Sequence, residues 1–200
     1  MHYTFVEIGT SDFDTCLQDS TNDDYGLSVD AVGHYLQRLP TKSNVRKIHA
    51  GVSNKDGFID VYYVHPDTIA IYNLVSWVRG CNSIGAPHPT VVKLLTEMRL
   101  PLTLIQKEKV VVKSIFTLFS ENDVESIDLL KVDTEGHDCV ILNNYIDYCL
   151  TNPKAFAKKI RFETNVLSTT VDQDFVLNRF LKNGYAIVSR DSSDAVLERV

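Results

Sequence analysis

Short apolar runs alternate with amphipathic stretches along most of this chain, in the order strand, helix, strand. Tyr3 to Ile8 is rich in β-branched and aromatic residues and predicts a strand that stops at Gly9. Residues 11–21 form a polar turn leading into a short helix. The next strand is Gly26-Leu27-Ser28-Val29-Asp30. From Gly33 to Leu39, Tyr35, Leu36 and Leu39 share one helical face, and Pro40 ends the helix. Val45 to Val52 reads as a third strand. After the turn Asn54-Lys55-Asp56-Gly57, Phe58 to Val64 alternates at 59, 61 and 63 as a fourth strand should.

The rhythm fails between residues 65 and 105, where Pro66, Pro87, Pro89 and Pro101 interrupt the chain. His88 to Met98 predicts a helix; the remainder reads as an irregular insertion. Such insertions in α/β domains serve as substrate loops, oligomer contacts or packing. The substrate reading assigns Trp77, Asn82, Ser83 and His88 to an acceptor. Beyond it, Lys109 to Ile115 reads as an edge-type strand, followed by a short helix from Phe116 to Asn122. Ile127 to Val132 is a buried strand, Asp138 to Cys149 an amphipathic helix, and Lys159 to Glu163 a strand. Asp172 to Asn183 is a helix capped by Gly184. Tyr185–Ser189 and Ala195–Val200 pair as a closing hairpin. The whole predicts one α/β domain over 1–200.

The strand at 127–132 ends in a burst of charge: Lys131, Asp133, Glu135 and Asp138 surround Gly136, with His137 between. Open α/β sheets bind their ligands beyond the carboxyl ends of strands. Several carboxylates gathered there are costly unless a ligand or reaction uses them. Asp133, Glu135, His137 and Lys131 are therefore the candidate catalytic residues. The competing explanation is a solvated turn in which Asp133 or Glu135 supplies the acid at a helix N-terminus.

The first half of the chain suggests a nucleoside site. Glu7 precedes Ile8-Gly9 at the end of the first strand, and Asp30 ends the second, 23 residues after Glu7. In Rossmann-like domains an acid at about that spacing accepts hydrogen bonds from ribose hydroxyls. Glu7, Gly9, Thr10, Ser11, Asp30, Ala31, Gly51, Val52 and Asp133 are the expected cofactor contacts. The chain lacks G-x-G-x-x-G, and Asp12 and Asp14 would repel a pyrophosphate at that loop. S-adenosylmethionine, with a ribose, an amine and a sulfonium, matches an acidic loop better than NAD or FAD.

Composition narrows the setting. A net charge of -6 argues against a broad footprint on nucleic acid or an anionic membrane. The four cysteines have no C-x-x-C spacing, which favours a reduced, cytoplasmic protein. No compact metal signature is present, and the sequence assigns no metal ligands.

The motif residues resemble those of the FkbM family of S-adenosylmethionine-dependent methyltransferases. Asp128-Leu129-Leu130-Lys131-Val132-Asp133-Thr134-Glu135-Gly136-His137-Asp138 is similar to that family's D-x-L-K-I-D-V-E-G-x-E block. Val6-Glu7-Ile8-Gly9 resembles its D-x-G motif, Leu27–Ala31 its V-x-x-E-P segment, Ala50–Gly57 its A-V-S-D-x-x-G turn and Ile160–Glu163 its I-x-x-E strand. Phe13 stands where the family has a second glycine, Ala31 where it has proline, and Asp138 where it has Glu. The resemblance implies a class I methyltransferase fold: a seven-stranded, mostly parallel sheet with helices on both faces and an antiparallel final strand. It also implies S-adenosylmethionine as cofactor and O-methylation of a sugar, glycan or small-molecule hydroxyl. A homodimer is compatible with it. Two rival expectations remain: a binding module that has lost turnover, suggested by Phe13, and a nucleotide-dependent dehydrogenase.

Overall fold

The computed structural model describes residues 1–200. In chain order the elements are β1 (His2–Ile8), α1 (Cys16–Asp19), β2 (Gly26–Asp30), α2 (Gly33–Arg38), β3 (Val45–His49), β4 (Gly51–Ser53) and β5 (Gly57–Val64). Next come α3 (Pro66–Ile71), β6 (Ser83–Ile84), α4 (Pro89–Glu97), β7 (Ile105–Ser114), α5 (Ile115–Glu121) and β8 (Ser126–Val132). The chain finishes with α6 (Asp138–Thr151), β9 (Lys159–Glu163), α7 (Thr170–Lys182), β10 (Tyr185–Arg190) and β11 (Asp194–Arg199).

Seven strands form the main sheet in the order β10-β11-β9-β8-β1-β2-β3. β9, β8, β1, β2 and β3 run parallel. The final strand, β11, is antiparallel to both β9 and β10. The sheet is thus α/β and mostly parallel, with one reversed strand. Side-chain parity divides its faces. Val6 and Ile8 of β1 join the main core of 31 buried residues, which includes Phe119, Tyr145, Phe162 and Phe180 from the side of α5, α6 and α7. Phe5 points the other way, into a small core with Leu17 of α1 and Leu36 of α2. No helix is long and apolar enough to cross a membrane.

A second sheet, β4-β7-β5-β6, stands beside the first and was not foreseen. The single strand expected over 45–52 breaks at Ala50. β3 pairs with β2 in the main sheet, whereas β4 pairs with β7 in the second. β7 is an interior strand where β4 joins it, at Val112–Ser114, and is paired only with β5 before that. Its polar run from Gln106 to Lys109 matches that open flank, so the edge-type reading holds for its first part alone.

The insertion has more order than its prolines suggested. Pro66 and Pro89 each occupy the first turn of a helix, where a missing N–H costs nothing, and Pro101 precedes a 3₁₀ turn at Leu102–Leu104. Val64, Leu74, Val78, Val91 and Leu95 give the region its own core. At α7, Thr169 accepts a hydrogen bond from the Asp172 N–H at 3.1 Å, and Gly184, at φ +83°, ends the helix as expected.

Candidate functional site

The parallel strands β1, β2, β8 and β9 all end at one edge of the main sheet, and a cavity of about 320 Å³ opens there. Two glycines shape that edge. Gly9 has φ +81°, and a Cβ on it would lie 1.7 Å from the Asp133 carbonyl oxygen. Its freedom lets the ends of β1 and β8 touch backbone to backbone. Gly136, at φ +95°, follows Glu135, a non-glycine residue at φ +52°. Its missing Cβ leaves room for Leu167, which would otherwise be 2.8 Å away. These two left-handed residues swing the chain out of β8 and into α6.

By strand placement the wall divides in two. Val29, Val52, Val61 and Ile84 come from β2 and the second sheet, beside Asp30, while Asp133, Glu135 and Glu163 come from the ends of β8 and β9. His137, 2.9 Å from Ser53, lies between them. Asp30 ends β2 and Glu163 ends β9, three strands apart, which places them roughly 14 Å from each other along the sheet edge. Five carboxylates reach the wall (Asp14, Asp30, Asp133, Glu135 and Glu163), and no lysine or arginine does.

Burial and crowding set the protonation of the acidic half. Burial pushes Asp133 up to about 6; Lys131 opposes this, while Glu135 and Asp194 add to it. Glu163 is pushed up to about 9, first by burial and then by Glu135, Asp133 and Asp138. Its Oε2 is buried without a hydrogen-bond partner. Asp138, fully buried behind the wall, is pushed up to about 7 by burial and by Asp133. It accepts from the Thr134 N–H at 3.3 Å and the Thr134 hydroxyl at 3.1 Å. His137 is held at the neutral end by burial, and its Nε2 lies 2.9 Å from the Ser53 hydroxyl.

Of the expected cofactor contacts, Gly9, Thr10, Ser11, Asp30, Ala31, Gly51, Val52 and Asp133 all line the cavity. Asp30 has an additional task. One oxygen accepts from the backbone N–H of Thr10 at 2.8 Å and of Ser11 at 2.7 Å, and the other from Val32 at 2.6 Å. It ties down the loop after β1, with the Thr10 hydroxyl as a further donor at 3.3 Å. Burial raises its pKa, and those amides pull it back.

Glu7 and Lys131 do not belong to the cavity. They are neighbours in the β1–β8 register and form a buried ion pair at 3.3 Å on the face covered by α1. Glu7 also accepts from the Cys16 N–H at 3.0 Å, and Lys131 donates to the Asp14 carbonyl. Glu7 and Lys131, expected as a cofactor contact and a catalytic residue, thus lie off the cavity wall, in a buried pair that joins β1 to β8.

Among the expected acceptor contacts, Trp77 and Asn82 line the cavity. Ser83 and His88 do not. Ser83 donates to the Ala86 carbonyl at 2.7 Å, and His88 Nε2 lies 3.2 Å from Glu135 Oε2. His88 thus meets the site through Glu135, which also accepts from Asn165 at 3.3 Å. The insertion is fastened to the loop after β1 by Asp12, paired with Arg38 at 2.8 Å and Arg79 at 3.4 Å, and by Arg79 stacked on Phe13 at 4.5 Å. Glu163, Cys81 and Phe13 also line the cavity, although none was named as an individual contact. Glu163 carried the same strand-end signal as Asp133, Phe13 stood in the loop after the first strand, and Cys81 lay in the insertion between Trp77 and His88. No protein-family model matches this chain, and no curated protein matches it.

Proposed function

We propose that this chain is an S-adenosylmethionine-dependent methyltransferase of FkbM type with a class I methyltransferase fold. Its acceptor is a hydroxyl on a sugar or another small molecule. The observation that carries this reading is the polarity of one cavity at the carboxyl edge of a parallel sheet: apolar residues from β2 and the second sheet, and carboxylates, without lysine or arginine, from the ends of β8 and β9. An adenine ring suits the apolar half, and Asp30 at the end of β2 suits the ribose. A sulfonium and an ammonium suit the carboxylates. A pyrophosphate would face repulsion there and no compensating cation, which disfavours the dehydrogenase. The reversed final strand, β11, agrees with the fold the resemblance implies.

Methyl transfer breaks the sulfonium C–S bond as the acceptor oxygen forms a bond to the same carbon. The acceptor loses its proton to a nearby base. Alignment contributes most, up to roughly 7–11 kcal/mol in favourable cases. Asp133, Glu135 and His137, all on the cavity wall, are the candidates for that base. Phe13 on the wall favours a second reading, in which the chain binds the cofactor without turnover.

Calorimetry with S-adenosylmethionine, S-adenosylhomocysteine and NAD tests the cofactor. Both sulfur ligands should bind and NAD should not; the opposite result refutes the proposal. Labelled methyl transfer to extract-derived acceptors then separates enzyme from binding module. Asp133→Asn keeps the size and removes the charge. It should lower turnover at least about a hundredfold while changing cofactor affinity far less.

A further inference from the structure

Three side chains that lie far apart in sequence converge beside the acidic half of the cavity. The Sγ of Cys81, a ring nitrogen of His88 and a carboxylate oxygen of Glu135 all lie within 4.8 Å of one another. Each comes from a different place: Cys81 from the segment after the 3₁₀ turn at Ser76–Arg79, His88 from the N-cap of α4, and Glu135 from the turn after β8. His88 is buried, and the other two are half-buried. We infer that Cys81, His88 and Glu135 form a three-ligand site for a borderline divalent cation of the Zn²⁺ kind, with its open position facing the cavity.

The donor chemistry favours that class of ion. Thiolate, imidazole and carboxylate together match Zn²⁺, whereas Mg²⁺ and Ca²⁺ take oxygen. Tetrahedral Zn²⁺ with ligands at 2.0–2.3 Å has edges of roughly 3.3–3.7 Å, so the triad closes with side-chain shifts of about 1 Å. The His88–Glu135 edge, at 3.2 Å, is already at that length. Cys81 and Glu135 both line the cavity, which leaves the fourth position to water or an acceptor. Glu163 lines the same wall and keeps a buried oxygen without a partner. A cation there would offset the carboxylate charge gathered on that wall by Glu135, Asp133 and Glu163.

Binding rearranges two protons. Without the ion, His88 Nδ1 accepts from the Thr90 N–H at 3.2 Å, so the ring proton sits on Nε2 and points at Glu135. On binding, the Cys81 thiol gives its proton to solvent. The His88 proton moves from Nε2 to Nδ1, and the Thr90 N–H, on an exposed residue, turns to water. The costs are the helix-cap hydrogen bond, the His88–Glu135 hydrogen bond and the loss of the Cys81 thiol proton.

The inference stands apart from methyl transfer and is tested without it. The 200-residue chain, stripped with a chelator, is titrated with Co²⁺ and then Zn²⁺. One equivalent of Co²⁺ should bind with the visible bands of four-coordination and a near-ultraviolet thiolate band, and Zn²⁺ should displace it. Cys81→Ser should abolish the thiolate band and weaken Zn²⁺ at least about tenfold, and Glu135→Gln should weaken it similarly. A measurement on the unmutated chain guards against a misfolded variant: Zn²⁺ should slow alkylation of Cys81, read by mass spectrometry. Absence of stoichiometric binding overturns the assignment. So does binding that leaves both the Cys81 alkylation rate and the near-ultraviolet spectrum unchanged.

Discussion

Asp138 shows how much a single carboxylate can cost this fold. It begins α6 with no exposure to solvent, so the helix dipole favours its charge while burial opposes it. The dipole is worth at most ~2 kcal/mol. A shift from 3.8 to about 7 corresponds to a penalty on the order of 4 kcal/mol against the ionised form. Burial and the neighbouring Asp133 therefore win. Because the folded pKa lies above the unfolded one, the folded state holds its proton more tightly. Below pH 3.8 both states are protonated and the fold pays no penalty; stability then falls as pH rises toward 7 and is lowest above it. Asp138→Asn removes the charge and keeps an acceptor for Thr134. It should raise the melting temperature at pH 8 and leave it nearly unchanged near pH 4, by calorimetry at both. Equal melting at pH 8 would mean that Asp138 ionises there without strain. Residue chemistry was partly legible in the sequence. Asp133 and Glu135 declared themselves as charge at the end of an apolar strand, and both line the cavity. Glu7 and Lys131 gave the same signal and are instead a buried pair. Parity held the missing information: Phe5 and Glu7 share the face toward α1, whereas Ile8 faces the main core.

Element by element, the strands and helices that local pattern can specify were read to within a few residues, and the errors have physical causes. The strand expected over 45–52 carries no turn signal before Gly51, but its two ends find partners in different sheets. Pairing with β2 and β7 decides the break at Ala50, and neither partner is local. The prolines of the insertion read as interruptions, yet Pro66 and Pro89 start helices, where their fixed φ is favourable. What the pattern did contain was the apolar spacing of Val91 and Leu95, which helps build the insertion's own core. This compact unit bears on the site through Trp77, which is 41% exposed at the cavity wall, and through the Arg79–Asp12 pair. Ligand in the cavity should therefore be felt across the insertion. Saturating S-adenosylhomocysteine should change Trp77 fluorescence and slow proteolytic cleavage within 66–101. If neither changes although calorimetry shows binding, Trp77 packs at the rim without meeting the ligand.

At the scale of the whole molecule, alternation of strand and helix was enough to predict an α/β domain, and the mostly parallel sheet came with the family resemblance. The crossovers between parallel neighbours are of the length such pairing needs. The closing hairpin was legible too, and it supplies the one reversed strand. Strand order was not. β1 lies between β2 and β8, whose sequences are about a hundred residues apart, and such pairings leave no local mark. That order is what brings Asp30, Gly9, Asp133 and Glu163 to one edge in succession. A ligand spanning that edge would touch the ends of four strands at once and would tie their folding to its own binding. At a concentration a hundredfold above its dissociation constant it stabilises the native state by about 2.7 kcal/mol. For a domain of this size that corresponds to a rise in melting temperature of roughly 5–11 °C. S-adenosylmethionine and S-adenosylhomocysteine should each produce a shift of that order, and NAD none. The shift should shrink in Asp30→Asn, which weakens the loop after β1 and, on the proposed function, a ribose contact. A shift with NAD alone would mean that the cavity takes a dinucleotide despite its carboxylates, and the methyl-transfer reading would fall with it.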